Sequence, residues 1–239
     1  MNLAFGILAE CPHCGEKKEL FQLGSGNNIV SKTWSDLKIE MPMMPMVSPV
    51  QKCPKCGHFF MLREAKKEQG KTYSFEKGWL TFEDSLLALE ELKSDKKGRL
   101  ELLTMIVTWA YNDIQRKEPK SDPLSPRKEK SEKIRNTPTP EQTEIFRSVI
   151  KELLEQGIYT NNELFLMELY RELGIQYFFL KLAGELILAE LYREIGEFDK
   201  CIHILEKFDP QNEFHKRIKN SIIEHAKQQD SNVFCVLGE

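Results

Sequence analysis

Two short cysteine turns constrain this chain more than any other feature of its sequence. Residues 11–15 read Cys-Pro-His-Cys-Gly, and residues 53–57 read Cys-Pro-Lys-Cys-Gly. In each turn the proline stiffens the backbone, and the glycine allows the positive φ that directs backbone N–H groups towards the sulfurs. Two such turns can close around one tetrahedral Zn²⁺. The predicted metal ligands are the thiolates of Cys11, Cys14, Cys53 and Cys56.

The same cysteine spacing has two other interpretations, a redox-active dithiol and a turn that binds no metal. Two copies of the turn, each followed by glycine, favour a structural zinc site over both. His13 lies inside the first turn, and His58 lies two residues after the last cysteine of the second. Because four cysteines already complete a tetrahedron, neither histidine is expected to bind the ion.

The paired turns resemble those of zinc-ribbon domains, and the resemblance covers roughly the first quarter of the chain. It implies a small β domain organised by a structural Zn²⁺, but it implies no particular function. The interval between the turns is long for a ribbon, so an elaborated loop or extra strands must lie there. Within it, residues 41–49 contain four methionines and three prolines. We expect an extended segment that packs on its neighbours there. A copper site and a peptide-binding groove are the less favoured interpretations.

Composition narrows the classes of function. The chain has 239 residues, of which 41% are hydrophobic and 30% charged, as in ordinary globular proteins. A net charge of −3 argues against a main role in binding nucleic-acid phosphates. No apolar run approaches the roughly 18–20 residues of a membrane span, and the N-terminus lacks the pattern of a signal peptide. Cys201 and Cys235 are expected to be small buried hydrophobes, which fits a reducing, cytoplasmic location.

The chain after residue 78 is predicted to be α-helical. Thr81 is a plausible N-cap of a first helix, and Gly98 separates that helix from a longer one over residues 99–117. Together they form a helical hairpin. Core packing and helix-end hydrogen bonds, rather than a functional cluster, are expected for Trp109, Asn112 and Asp113. Residues 118–138 hold four prolines and ten charged residues, and they are predicted to be a solvated linker.

A second helical unit is predicted to follow this linker. Thr139 as N-cap and Pro140 at the first helical position mark its start. After a helix over residues 162–173, a helix over residues 176–195 is apolar on nearly every side, so it must lie between others. A final helix over residues 212–228 carries one narrow apolar stripe. Glutamates on the helices are expected to be solvated or paired with bases four residues away.

This second unit contains an internal repeat. Residues 164–174 nearly recur as residues 186–196, a separation of 22 residues, and the second copy continues to Pro210. The second copy resembles a tetratricopeptide repeat, although that family repeats every ~34 residues and one complete unit is visible here. The matching positions are Leu188, Ala189, Tyr192, Gly196, Phe198, Cys201 and Leu205. The resemblance implies a stack of helical hairpins that binds a protein partner.

The predicted fold class is α+β, with a small N-terminal β zinc ribbon and a mainly α-helical, tetratricopeptide-like remainder. Four units are predicted in chain order. They are residues 1–78, a zinc ribbon with an elaborated loop; 79–117, a helical hairpin; 118–138, a charged, Pro-rich linker; and 139–230, a tetratricopeptide-like helical domain.

The favoured function is a non-catalytic adaptor or scaffold in the bacterial cytoplasm, with structural Zn²⁺, a protein partner and no membrane contact. No nucleotide-binding or hydrolase motif occurs in the sequence. One alternative is a zinc ribbon that binds nucleic acid in a regulatory role, which needs lysines beside exposed aromatic rings. Its candidate aromatic residues are Phe21, Trp34 and Phe59. A zinc enzyme is the second alternative, and it needs an open coordination position on the ion.

Overall fold

A computed structural model describes residues 4–23, 32–40, 47–70, 78–93, 98–116, 137–158 and 184–237. Within these ranges the fold is mixed: short antiparallel strands, most of them near the N-terminus, precede six helices. The predicted α+β class is therefore confirmed, whereas the tetratricopeptide-like arrangement stays a prediction. Several predicted segments lie outside the described residues: most of 41–49 and of the linker, the helix over 162–173, and the first copy of the repeat.

Eight strands in the described ranges form three small sheets. They are β1 (Ala4–Glu10), β2 (Lys17–Leu23), β3 (Lys32–Trp34), β4 (Ile39–Glu40), β5 (Val50–Lys52), β6 (Phe59–Met61), β7 (Lys66–Gln69) and β8 (Cys235–Leu237). β1 lies between β2 and β7 in the first sheet, β3 lies between β4 and β8 in the second, and β5 pairs with β6 in the third. The β1–β2 and β5–β6 hairpins each enclose one cysteine turn.

Six helices follow among the described residues. They are α1 (Phe82–Leu92), α2 (Arg99–Arg116), α3 (Pro140–Glu155), α4 (Gly184–Glu194), α5 (Phe198–Lys207) and α6 (Glu213–Lys227). Both predicted N-caps are confirmed: the Thr81 hydroxyl accepts from the Asp84 N–H at 3.1 Å, and Thr139 forms a complete capping box with Gln142. None of the described helices combines the length and apolar character that crossing a membrane requires.

The β5–β6 hairpin is buried on both faces. Phe59 and Met61 pack in a large core with the helices, and Phe60 between them packs in a smaller core around the cysteines. Successive side chains of a strand point to opposite faces, so this one short strand joins the two cores. The large core contains residues from Leu37 to Ala226. The limits between the predicted units stay a prediction.

The C-terminal segment returns to the N-terminal half of the chain, which the sequence did not predict. β8 pairs with β3, and the Ser35 N–H donates to the Phe234 carbonyl at 2.9 Å. The Phe234 ring stacks on His225 with centroids 3.6 Å apart. Cys235 lies on this edge strand and is exposed, so its prediction as a buried hydrophobe is wrong. Cys201, in contrast, is buried as predicted.

The structure differs from two predictions about polar residues, because α2 and α4 pack against the β3–β4 turn. Trp109 is buried in the core, as predicted. Asn112 was expected at a helix end, yet its side-chain amide donates to Asp36 and to Glu194, at 2.9 Å in each case. Glu190 and Glu194 are buried instead of solvated, because the surrounding elements cover this end of α4.

Candidate metal centre

The two cysteine turns have the same backbone hydrogen bonds. In the second turn the Cys53 N–H donates to the His58 carbonyl at 2.9 Å, and the Gly57 N–H donates to the Cys53 carbonyl at 3.1 Å. The equivalent bonds of the first turn measure 2.8 and 2.9 Å. Gly15 and Gly57 have φ values of 74° and 77°, the left-handed conformation that glycine adopts without strain. Both turns therefore present their cysteines in the same way.

These turns bring the four predicted cysteine sulfurs together, all within 4.8 Å of one another. The Cys11 and Cys56 sulfurs are 3.8 Å apart, and those of Cys14 and Cys53 are 3.5 Å apart, so each of these close pairs joins one turn to the other. Zn–S bonds of about 2.3 Å in a tetrahedron require sulfurs about 3.8 Å apart. The spacing fits zinc and is consistent with a zinc ribbon. Elsewhere in the described residues, no three His, Cys, Asp or Glu side chains converge in this way.

The environment of the sulfurs favours ionisation of one thiol and opposes that of another. Burial opposes ionisation of Cys53, but N–H donors from Cys56 and Lys55 and the adjacent thiols outweigh it and lower the pKa of Cys53 to about 7. A backbone donor from His58 favours the thiolate of Cys56, yet burial and the three neighbouring thiols raise the pKa of Cys56 to about 12. Four sulfurs in contact cannot all ionise without a cation, and a divalent ion removes that conflict.

Two hairpins and a small core support the turns. Glu10 lies opposite Lys17 beside the first turn, and Lys52 lies opposite Phe59 beside the second. The described apolar residues that surround the buried cysteines are few: Ala9, Leu20, Phe60 and Ala65 are buried, and Ile7, Val47 and Leu62 are partly buried against them. A core of this size contributes little stability by itself, so the turns depend on an additional cross-link.

The two histidines beside the turns contact each other. The ring centroids of His13 and His58 are 3.9 Å apart, and both side chains are exposed. His58 Nδ1 also lies 2.6 Å from a carboxylate oxygen of Glu91 on α1. Neither histidine belongs to the group of converging ligand atoms in the described chain, so the four cysteines remain the proposed ligands.

Lysines line an open groove of about 610 Å³ beside the second turn, and two of them are paired with acids. Lys18, Lys52 and Lys55 border this groove. The Lys52 ammonium is 2.8 Å from Asp84, and that of Lys55 is 3.4 Å from Glu16. One Zn²⁺ with four thiolates would carry two net negative charges. Nearby lysines would compensate this charge, which gives them a role that needs no nucleic acid.

Two of the three aromatic residues that nucleic-acid binding would require are described, and they differ in burial. Phe59 is only 6% exposed and packs in the large core. Trp34 is half-buried, and Lys32 and Arg116 lie 5.8 and 5.1 Å from its ring centroid. The side chain of Phe21 lies outside the described residues. Base stacking needs an open aromatic face, so the buried Phe59 is poorly placed for it.

The described part of the internal repeat forms a helical hairpin. α4 and α5 pack against each other, and Gly196 between them has a φ of 87°. Ala189 and Cys201, small residues on the two helices, are both fully buried. Small side chains at this contact let the helices approach closely, as the resemblance to a tetratricopeptide repeat implies. A stack of several such hairpins remains a proposal.

Comparison with protein families, with curated proteins and with solved structures finds no match to this chain. The assignment of the metal centre therefore depends on the geometry of the cysteines.

A second group of buried polar residues was missed by the sequence analysis. Asn112 and Glu194 are in contact although 82 positions separate them, and no motif connects them. The sequence carries a weak signal for this group: Glu190, Arg193 and Glu194 are charged residues on a helix that is apolar on nearly every side.

Proposed function

We propose that this chain is a non-catalytic zinc-binding protein-interaction module, an adaptor or scaffold, that works in the cytoplasm. The observation that carries the proposal is the convergence of four cysteine sulfurs within 4.8 Å. Four thiolates are the ligand set of structural zinc, and reduced cysteines suit the cytoplasm. The proposed ligands are the sulfurs of Cys11, Cys14, Cys53 and Cys56.

The proposed role of the ion is to hold the two cysteine turns together. Structural zinc in small modules contributes on the order of 10–16 kcal/mol. The apolar core beneath the turns contains only a few residues, of which Phe60 is the largest. The ion therefore replaces the core that this part of the chain lacks.

A structural site is favoured over a catalytic one by the proposed ligand set. A closed shell of four thiolates leaves no coordination position for water or substrate, and catalytic zinc needs such a position. We therefore propose no zinc-dependent reaction for this site.

The proposed partner is a protein. Leu87 on α1 and Ile145 on α3 are the most exposed large hydrophobic side chains of the described residues, at 57% and 39%. Leu87 borders a groove of about 650 Å³ together with His58 and Phe59 beside the second cysteine turn. We base the proposed protein contact on the position of the exposed Leu87 at the edge of this groove. The pairing of Lys52 with Asp84 and the burial of Phe59 argue against a nucleic-acid surface here.

Metal analysis and affinity capture test the proposal together. The full chain, purified from its native cell without chelator, should contain one zinc per chain. Affinity capture with the tagged chain should recover a protein partner. Its binding should persist after nuclease treatment and at moderate salt, and the Leu87→Glu variant should no longer capture it. Arg217→Glu, an exposed charge on α6, is the control and should retain it. Recovery of nucleic acid, released steeply by salt, would instead support the alternative.

A further inference from the structure

A buried polar cluster joins three elements that are distant in sequence. It lies where the β3–β4 turn meets the last turns of α2 and α4, and we refer to it as the polar joint. The Asn112 amide bridges two carboxylates in it, donating to Asp36 Oδ2 and to Glu194 Oε1 at 2.9 Å each. The charged members are Asp36, Lys38, Asp113, Arg116, Glu190, Arg193 and Glu194.

Each base of the polar joint is already bound to a carboxylate. Arg116 binds Asp36, Lys38 lies 2.6 Å from Asp113, and Arg193 binds Glu190 through two bonds of 2.6 and 2.8 Å. Two further donor groups of Arg193 bind the carbonyls of Asp230 and Asn232. The joint thus has three bases for four carboxylates.

Among the described residues, Glu194 is the carboxylate of the polar joint that forms no ion pair with a base. Its Oε1 accepts the amide proton of Asn112, and its Oε2 has no hydrogen-bond partner in the described part of the chain. The side chain is buried, and Asn112 Oδ1 beside it is also unpartnered there. An ionised carboxylate in such a place is costly, because burial removes its hydration and no described base forms an ion pair with it.

Titratable groups of several described elements face Glu194. They include Asp36 from the turn, Tyr111 from α2, and Glu190 and Arg193 from α4, and Arg147 from α3 acts on Tyr111 beside them. Burial first, and then the negative charges of Glu190 and Asp36, raise the pKa of Glu194 well above its ordinary value. Arg193 and the bond from Asn112 oppose the change but do not reverse it.

We propose that Glu194 carries a proton in the closed polar joint, and that its ionisation opens the joint. Contact between the β3–β4 turn, α2 and α4 then depends on one proton, which makes the joint a pH-sensitive latch. No residue of the polar joint belongs to either cysteine turn, and the latch does not depend on the zinc proposal.

The sign of the pH dependence follows from the raised pKa. Folding takes up one proton between the ordinary pKa of 4.5 and the higher pKa of Glu194 in the folded protein. The stabilisation is complete at pH values below the ordinary pKa of glutamate. It is lost as the pH rises through the pKa of Glu194 in the folded protein. In that window the unfolding equilibrium constant should rise up to tenfold for each pH unit.

Glu194→Gln tests the latch, because glutamine keeps the shape and cannot ionise. Denaturant unfolding of the full chain should be measured between pH 5 and 9, with the wild type and the variant side by side. The difference between them isolates Glu194 from the other titrating groups. We expect the wild type to lose stability relative to the variant as pH rises. The same pH dependence in both proteins would overturn the proposal.

A matched control separates the latch from ordinary destabilisation. Glu190→Gln breaks the ion pair with Arg193 and removes a negative charge that faces Glu194, so it should lower stability at every pH and move the pH dependence to lower pH without abolishing it. The protection of residues 32–40 and 184–194 against hydrogen exchange, corrected for the intrinsic rise of exchange with pH, should fall with pH in the wild type and stay constant in Glu194→Gln. If Glu194→Gln does not fold, carboxyl-¹³C NMR of the wild type decides. One glutamate should then titrate far above the others, and its absence would overturn the proposal.

Discussion

The glycine after the second cysteine of each turn is required because of its backbone conformation, and not because a side chain would lack room there. A side chain at Gly57 would meet nothing within 4 Å, but the φ of 77° is unfavourable for residues that carry a Cβ. The same holds for Gly15 at 74°. At these positions the left-handed conformation is therefore the sole local constraint on residue type.

Gly57→Ala should weaken zinc binding through strain alone. A left-handed alanine costs about 1–2 kcal/mol, which corresponds to roughly a 5- to 30-fold loss of affinity. Competition with a chromophoric chelator measures it. Gly57→Asn is the matched control, since asparagine tolerates this conformation and should lose less. Equal losses for Ala and Asn would show that strain is not the cause.

Cys53→Ser should abolish stoichiometric zinc binding, because three thiolates and a hydroxyl form a much poorer site. Metal analysis should fall from one zinc per chain to near zero. Limited proteolysis should then cut residues 4–23 and 62–70 readily, with the helices after Thr139 largely protected. Cys235→Ser, at an exposed thiol outside the cluster, should leave both results unchanged. Full zinc retention in Cys53→Ser would contradict the assignment of the ligands.

At the scale of elements, local sequence signals mark where helices begin. Thr139 accepts from the Gln142 N–H at 3.1 Å, and the Gln142 side chain accepts from the Thr139 N–H at 3.0 Å. Pro140 occupies the first helical position, where no N–H is needed. All these contacts span three residues, so the start of α3 could be predicted from the sequence.

Thr139→Ala should destabilise the start of α3 by about 1 kcal/mol, because it removes the side-chain half of the capping box. Thr139→Ser keeps the hydroxyl and should lose much less. Urea unfolding followed by circular dichroism distinguishes the two variants. If they unfold at the same urea concentration, the cap contributes nothing to stability.

Strand β8 shows what local signals cannot provide. It contains three residues, and its partner β3 lies about two hundred positions earlier, as the Ser35–Phe234 contacts show. A strand this short has no periodicity to detect, and its pairing is created by the return of the chain. The exposed position of Cys235 follows from that pairing, so the sequence alone could not predict it.

At the scale of the whole molecule, neighbouring residues of β6 pack in different hydrophobic cores. Phe59→Ala should destabilise the helices by about 3–5 kcal/mol, because it leaves a cavity in the large core. Phe60→Ala should instead speed zinc loss to a chelator, because Phe60 packs around the cysteines. Thermal unfolding by circular dichroism and a chelator time course measure the two effects. Identical changes in both assays for both variants would show that the two cores act as one.

The sequence by itself determined the four converging cysteines, the starts of α1 and α3 and the α+β class. Each of these depends on residue spacing within one turn, one helix start or one amphipathic segment. Tertiary structure decided that β6 would join the two cores, that β8 would pair with β3 and that Glu194 would be buried beside Asn112. Those outcomes depend on contacts between residues far apart in the chain. Burial then changes the chemistry of a glutamate that would otherwise be solvated on a helix surface.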